Sequence, residues 1–104
     1  MQIVLLHRHY NQEQLEQVKA EMVKLGSPMI RTIWSEMYGF WLAVEGSHRL
    51  RAAAELGISP KINDISNHKI VTIQVDGDYE SVAIIDLLEE LQDNARHSVI
   101  LSFD

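Results

Sequence analysis

The chain has 104 residues, 46% of them hydrophobic and 23% charged, which suits one domain with one modest core. It holds no cysteine, so a disulfide framework, a thiolate nucleophile and a cysteine-ligated metal site are all excluded. The formal charge of −6 is uneven: residues 1–75 carry 8 Lys/Arg against 7 Asp/Glu, whereas residues 76–104 carry Arg96 alone against 8 acids. An acidic last third is a poor surface for nucleic acid or an anionic membrane, so an anion site is expected in the first two thirds. No apolar run reaches the length of a membrane span, and the apolar stretch near Met1 is too short for a signal peptide. The expected setting is cytoplasmic, with no membrane partner.

Ile3 to Leu6 reads as a short buried strand. Asn11 then caps a helix whose apolar residues Leu15, Val18, Met22 and Leu25 share one face; Gly26 ends it and Ser27-Pro28 prevents its continuation. Met29–Trp34 and Phe40–Val44 read as strands joined by the turn Glu36-Met37-Tyr38-Gly39. The second is apolar on both faces, as an interior strand requires. Ser47 is the expected cap of a helix running to Leu56, with Gly57 behind it. A polar connection follows Pro60, then a strand Ile70–Val75 and a turn at Asp76-Gly77-Asp78. A third helix from about Glu80 to Leu91 is expected to bury Val82, Ile85 and Leu88, with Ile84 and Leu91 widening the stripe. Val99–Phe103 closes the chain as a strand. The predicted fold is a small α/β (α+β) domain over residues 1–104, with a mixed sheet and about three helices.

Chemistry concentrates in Val44-Glu45-Gly46-Ser47-His48-Arg49, a strand, a glycine turn and a helix N-terminus. Unpaired backbone N–H groups and the positive end of the helix dipole favour an anion there. Arg49 can fork two hydrogen bonds to a phosphate or carboxylate, and Gly46 permits close backbone approach. The same segment also reads as a plain Ser cap with Arg49 paired to a protein carboxylate. Elsewhere, His7 and His9 alternate on a strand end and share a side, but no third ligand follows them, so no metal site is assigned. Tyr38, Phe40, Trp34 and Trp41 are read as core and edge packing. The acids of the third helix, Glu89 and Glu90 among them, form a solvated face that a basic protein partner could meet.

Gly46-x-x-Arg49-Leu50-Arg51-Ala52-Ala53 followed by Leu56-Gly57 resembles the second conserved box of the ParB N-terminal domain. Gly46-Ser47-His48-Arg49 also resembles the Gly-Cys-His-Arg loop of sulfiredoxin and its counterpart in the free serine kinases, all members of one ParB/sulfiredoxin-like superfamily. Upstream, Leu15–Gly26 and Ser27-Pro28-Met29-Ile30-Arg31 resemble the family's first helix and following strand. Downstream, Leu56 to Ile62 resembles its return to the sheet. The likeness covers about residues 1–65.

This resemblance implies a ParB/sulfiredoxin-like fold and a nucleotide or phosphorylated small molecule bound at Gly46, Ser47, His48 and Arg49, with Mg²⁺ carried by the nucleotide. Arg8, after the first strand, is a further candidate for the phosphate site. Glu45 and His48 are the candidate acid–base residues, and the chemistry implied is phosphoryl transfer or phosphoester cleavage. The chain departs from the family at telling places. Ser47 stands at the sulfiredoxin cysteine, which excludes thiolate chemistry. Ser47-His48 replaces ParB's Glu-Arg, and no Glu-Asn-x-x-Arg box follows residue 65. Two other functions stay open: a non-catalytic protein-interaction module with a purely structural motif, and nucleic-acid binding or cleavage, which the charge disfavours.

Overall fold

The computed structural model describes residues 1–75 and 77–103, apart from the side chains of Val75 and Arg96. Its order is β1 (Gln2–Val4), α1 (Gln12–Leu25), β2 (Met29–Ser35), β3 (Phe40–Ala43), α2 (Ser47–Leu56), β4 (Lys61–Asp64), β5 (Ile70–Val75), β6 (Asp78–Ala83), α3 (Ile84–Asn94) and β7 (Ile100–Ser102), with a 3₁₀ turn at Ala95–His97 before β7. Five strands form one mixed sheet in the order β4-β2-β3-β1-β7, and β5-β6 is a separate antiparallel hairpin. Strand β3 is parallel to β1 and antiparallel to β2, while β4 joins β2 in parallel at one edge and β7 joins β1 antiparallel at the other.

Alternation along the strands divides the core in two. Ile3, Leu5, Ile30 and Ala43 face Leu15 and Met22 of α1 and Leu50, Ala52 and Ala53 of α2. Val4, Ile33, Phe40, Leu42 and Val44 face the other way, against α3 and Val71 of the hairpin. The doubly apolar β3 therefore lies between two layers, as its sequence predicts. Ala52 and Ala53 are fully buried, so small residues do bring α2 onto the sheet. Asn11 caps α1, its Oδ1 accepting from the Gln14 N–H at 2.9 Å; such caps contribute about 1 kcal/mol.

Four expectations are corrected. The connection after Pro60 contains β4, four residues tied into the sheet edge in register with Met29–Thr32. The segment Tyr79–Ala83 is strand, not helix: Val75 pairs with Asp78 and Ile70 with Ala83, with Gly77 at φ 86° in the turn and Asp76 outside the described residues. An aspartate–glycine pair between β-forming runs favours a hairpin, and the helical stripe holds its spacing only from residue 84. Helix α3 consequently buries Ile84, Leu87 and Leu91 while Ile85 is 68% exposed. Leu25, placed on the buried face of α1, is 82% exposed, although Met22 in the same turn is buried.

The fourth correction concerns Ser47, which is the first helical residue and not the cap. Gly46 holds the cap position at φ 77°, ψ 32°. The chain must turn sharply out of β3 there, and the left-handed conformation costs an L-residue about 1–2 kcal/mol. Tyr38 stacks on Phe40, and Trp34 meets Trp41 edge-on with ring centroids 5.0 Å apart, so these aromatics pack on one another across the β2–β3 hairpin.

Candidate functional site

The end of β3, the start of α2 and the β5-β6 hairpin meet around Glu45. Arg31, on β2, grips this carboxylate with Nε 2.8 Å from Oε2 and Nη2 3.1 Å from Oε1. Its remaining amino group, Nη1, donates to the Thr72 carbonyl at 3.0 Å. One guanidinium thereby ties the central sheet, the loop before α2 and the hairpin together. Arg49 approaches the same carboxylate at only 3.9 Å, and its Nη1 donates to the Met29 carbonyl at 3.2 Å. Two guanidinium groups thus share one carboxylate. Because Arg31 takes both oxygens, the cluster retains one positive charge, and Arg49, with its side chain 40% exposed, is the group that carries it outward.

Burial pushes the Glu45 carboxyl up, but the Arg31 hydrogen bonds, its charge and backbone N–H, and the Arg49 charge together hold it below the usual carboxylate range. Arg31 is shifted above its ordinary value, chiefly by the Glu45 hydrogen bond, against a smaller opposing effect of burial. Glu45 is therefore a firmly ionised structural anchor. A carboxylate held this way is a weaker proton acceptor than the acid–base role expected of it requires.

The first turn of α2 has no side-chain cap. Ser47 is 6% exposed, and its Oγ has no hydrogen-bond partner among the described residues. A cleft of about 460 Å³ runs along this turn, lined by Glu45–Arg49 together with His7, Gln14 and Gln74. A second, of about 340 Å³, lies on the hairpin side of Glu45 and Gly46, walled by Arg31, Thr72 and Tyr79. Leu6, Glu45, Gly46 and Gln74 line both, so the two open around one loop.

Gly46 is small for an internal reason as well. A Cβ built on it would stand 2.7 Å from Ile30 Cδ1 and 3.2 Å from Arg49 Nη2. Its open side is filled by protein, and the Arg49 guanidinium lies over the turn because no side chain intervenes.

His48 lines the cleft, but its Nε2 accepts from the Asn11 N–H at 3.0 Å. That bond places the proton of the neutral ring on Nδ1 and uses the lone pair a base would need. Three residues on, Arg51 donates to the Arg8 carbonyl at 2.8 Å and lies 4.3 Å over the Tyr10 ring. The α2 side chains His48 and Arg51 thus pin the loop between β1 and α1. Arg8 lines neither cleft, contrary to its expected place; of that loop, Leu6 lines both and His7 the first. His7 and His9 do stay close, with ring centroids 6.2 Å apart, although β1 ends before them. No group of three or more His, Asp or Glu side chains among the described residues converges to hold a cation.

Of the expected residues, the structure gathers Glu45, Gly46, Ser47, His48 and Arg49 and leaves out Arg8. It adds Arg31, Gln14, Gln74 and Thr72. Arg31 carried a sequence signal, since it closes the segment Ser27–Arg31 that resembles the family strand. The hairpin residues carried none, because only the folded chain brings them across the loop. Comparison with protein-family models, curated proteins and solved structures finds no match, so the ParB/sulfiredoxin-like resemblance rests on the residues themselves.

Proposed function

We propose that this chain is a ParB/sulfiredoxin-like domain that binds a nucleotide or another phosphorylated ligand over the first turn of α2. The observation that carries the reading is the uncapped turn with its buried, partnerless Ser47 Oγ beside a guanidinium whose nearest carboxylate is already held by Arg31. Backbone N–H groups at residues 47–49 would hold phosphate oxygens, Ser47 would donate its hydroxyl, and Arg49 would neutralise charge. Mg²⁺ would come with the nucleotide and offset part of its phosphate charge. The role is binding first: Glu45 and His48 are both engaged elsewhere, so phosphoryl transfer would require His48 to release Asn11. The lack of cysteine accords with a cytoplasmic setting, and no described helix is long and apolar enough to cross a membrane.

One observation favours a second reading, a protein-interaction module. Asp86, Glu89, Glu90 and Asp93 of α3 are exposed, and none forms an ion pair among the described residues, which suits a basic partner. Amide resonances separate the two. Saturable shifts at Ser47, His48 and Arg49 on adding Mg²⁺-nucleoside triphosphates support the nucleotide reading. Absence of shifts there with every nucleotide rejects it and turns attention to α3.

A further inference from the structure

A third cavity, of about 250 Å³, adjoins the cleft along α2. Its walls are Val18, Met22 and Leu25 on α1, Pro28 on the following loop, Glu21 at the rim, and Arg49. Val18 and Arg49 also line the cleft along α2. Arg49 is therefore a partition: one side belongs to a polar cleft at a helix N-terminus, the other to an apolar groove. Leu25 lines this groove while 82% exposed, an apolar surface that the fold itself leaves open.

We infer that the groove receives the heterocyclic base of the nucleotide whose phosphates lie over α2. The inference rests on the nucleotide reading above and extends it to the ligand's other end. Three features select a base over an alkyl chain. A planar guanidinium offers a face on which a flat ring stacks, whereas it gives a saturated chain little. Val18, Met22 and Leu25 supply the apolar wall that such a ring covers. Glu21 stands exposed at the rim with no hydrogen bond or ion pair among the described residues, and its carboxylate can only accept. An acceptor at the rim favours bases with an exocyclic amino group, namely adenine, cytosine and guanine, over uracil.

The test compares four probes with Mg²⁺ on the full chain: ATP, UTP, inorganic tripolyphosphate and octyl phosphate. Wild type is expected to bind ATP at least roughly tenfold tighter than tripolyphosphate and tighter than UTP, with the Met22 and Leu25 methyl resonances shifting for ATP only. Leu25→Glu, at a position exposed enough to leave folding intact, is expected to remove that advantage, so that ATP and tripolyphosphate bind alike. Glu21→Gln is expected to narrow the gap between ATP and UTP. If tripolyphosphate and ATP bind equally and Leu25→Glu changes neither, the base has no seat in the groove although the phosphate site stands. Tighter binding of octyl phosphate than of ATP assigns the groove to an alkyl chain and overturns the inference. Binding of none of the four rejects the phosphate site and this inference with it.

Discussion

Arg31 on β2 and Glu45 in the loop after β3 are joined by bonds of 2.8 and 3.1 Å, with both side chains about one-third exposed. This pair decides the chemistry of the loop. It satisfies the carboxylate next to Gly46 and leaves Arg49, 40% exposed, at 3.9 Å from it. Truncating one partner leaves a half-buried charge alone. Arg31→Ala and Glu45→Ala are each expected to cost about 1–3 kcal/mol in denaturant unfolding, with a coupling of about 1 kcal/mol in the double-mutant cycle. Additive effects would show that the two groups do not stabilise each other.

The same pair sets an acid limb. Because the folded-state pKa of Glu45 lies below its unfolded value, the folded protein keeps its carboxylate ionised where the unfolded chain protonates. Its contribution is complete above the ordinary glutamate range and declines as the pH falls through the lowered value. Arg31, shifted upward, contributes below its ordinary value and loses that only at extreme alkalinity. Glu45→Gln is therefore expected to flatten the loss of stability in acid, measured as urea midpoints from neutral pH downward. An unchanged acid limb would exclude Glu45 as its source.

Gly46 is held in the left-handed region, and its missing side chain is replaced by Ile30 and Arg49. Gly46→Ala is expected to lower stability by about 2–3 kcal/mol through backbone strain and the clash with Ile30. Near-neutral unfolding would mean that Ile30 yields without cost.

The register of α3 is checked by two residues of its first turn. Leu87→Ala is expected to cost about 2–4 kcal/mol, and Ile85→Ala to stay within about 0.5 kcal/mol. The reverse order would restore the register that a helix beginning near residue 80 implies.

That register shows what the sequence could and could not reveal. Helix α1 was legible because Asn11, the apolar spacing and Gly26 all pointed the same way. The β2–β3 hairpin was legible from its glycine turn and the doubly apolar Phe40–Val44. Tyr79–Ala83 was not, since Val82 continues an apolar spacing with Ile85 and only pairing with Ile70–Val75 reveals it as strand. The polar residues of β4 gave no strand pattern, as an edge strand needs none on its outer side.

At the site, Glu45 to Arg49 are contiguous and were found together. Arg8 was misplaced because the path of the loop is set by Arg51 and His48, contacts made across 43 and 37 residues. Local pattern does not encode such distances, and Gln74 and Thr72 stayed hidden for the same reason. His48 holds Asn11 in place: His48→Phe is expected to quicken amide exchange at Asn11 and cost about 0.5–1.5 kcal/mol. Unchanged exchange there would mean that Asn11 is held by other contacts.

Calorimetric titration of ATP, ADP, CTP and GTP with Mg²⁺ into wild type and Arg49→Ala tests the nucleotide site most directly. Wild type is expected to bind at least one of the four, and Arg49→Ala, with its fold intact by circular dichroism, to lose roughly tenfold or more in affinity. No binding by wild type, or equal binding by the folded variant, would contradict a phosphate site over the first turn of α2.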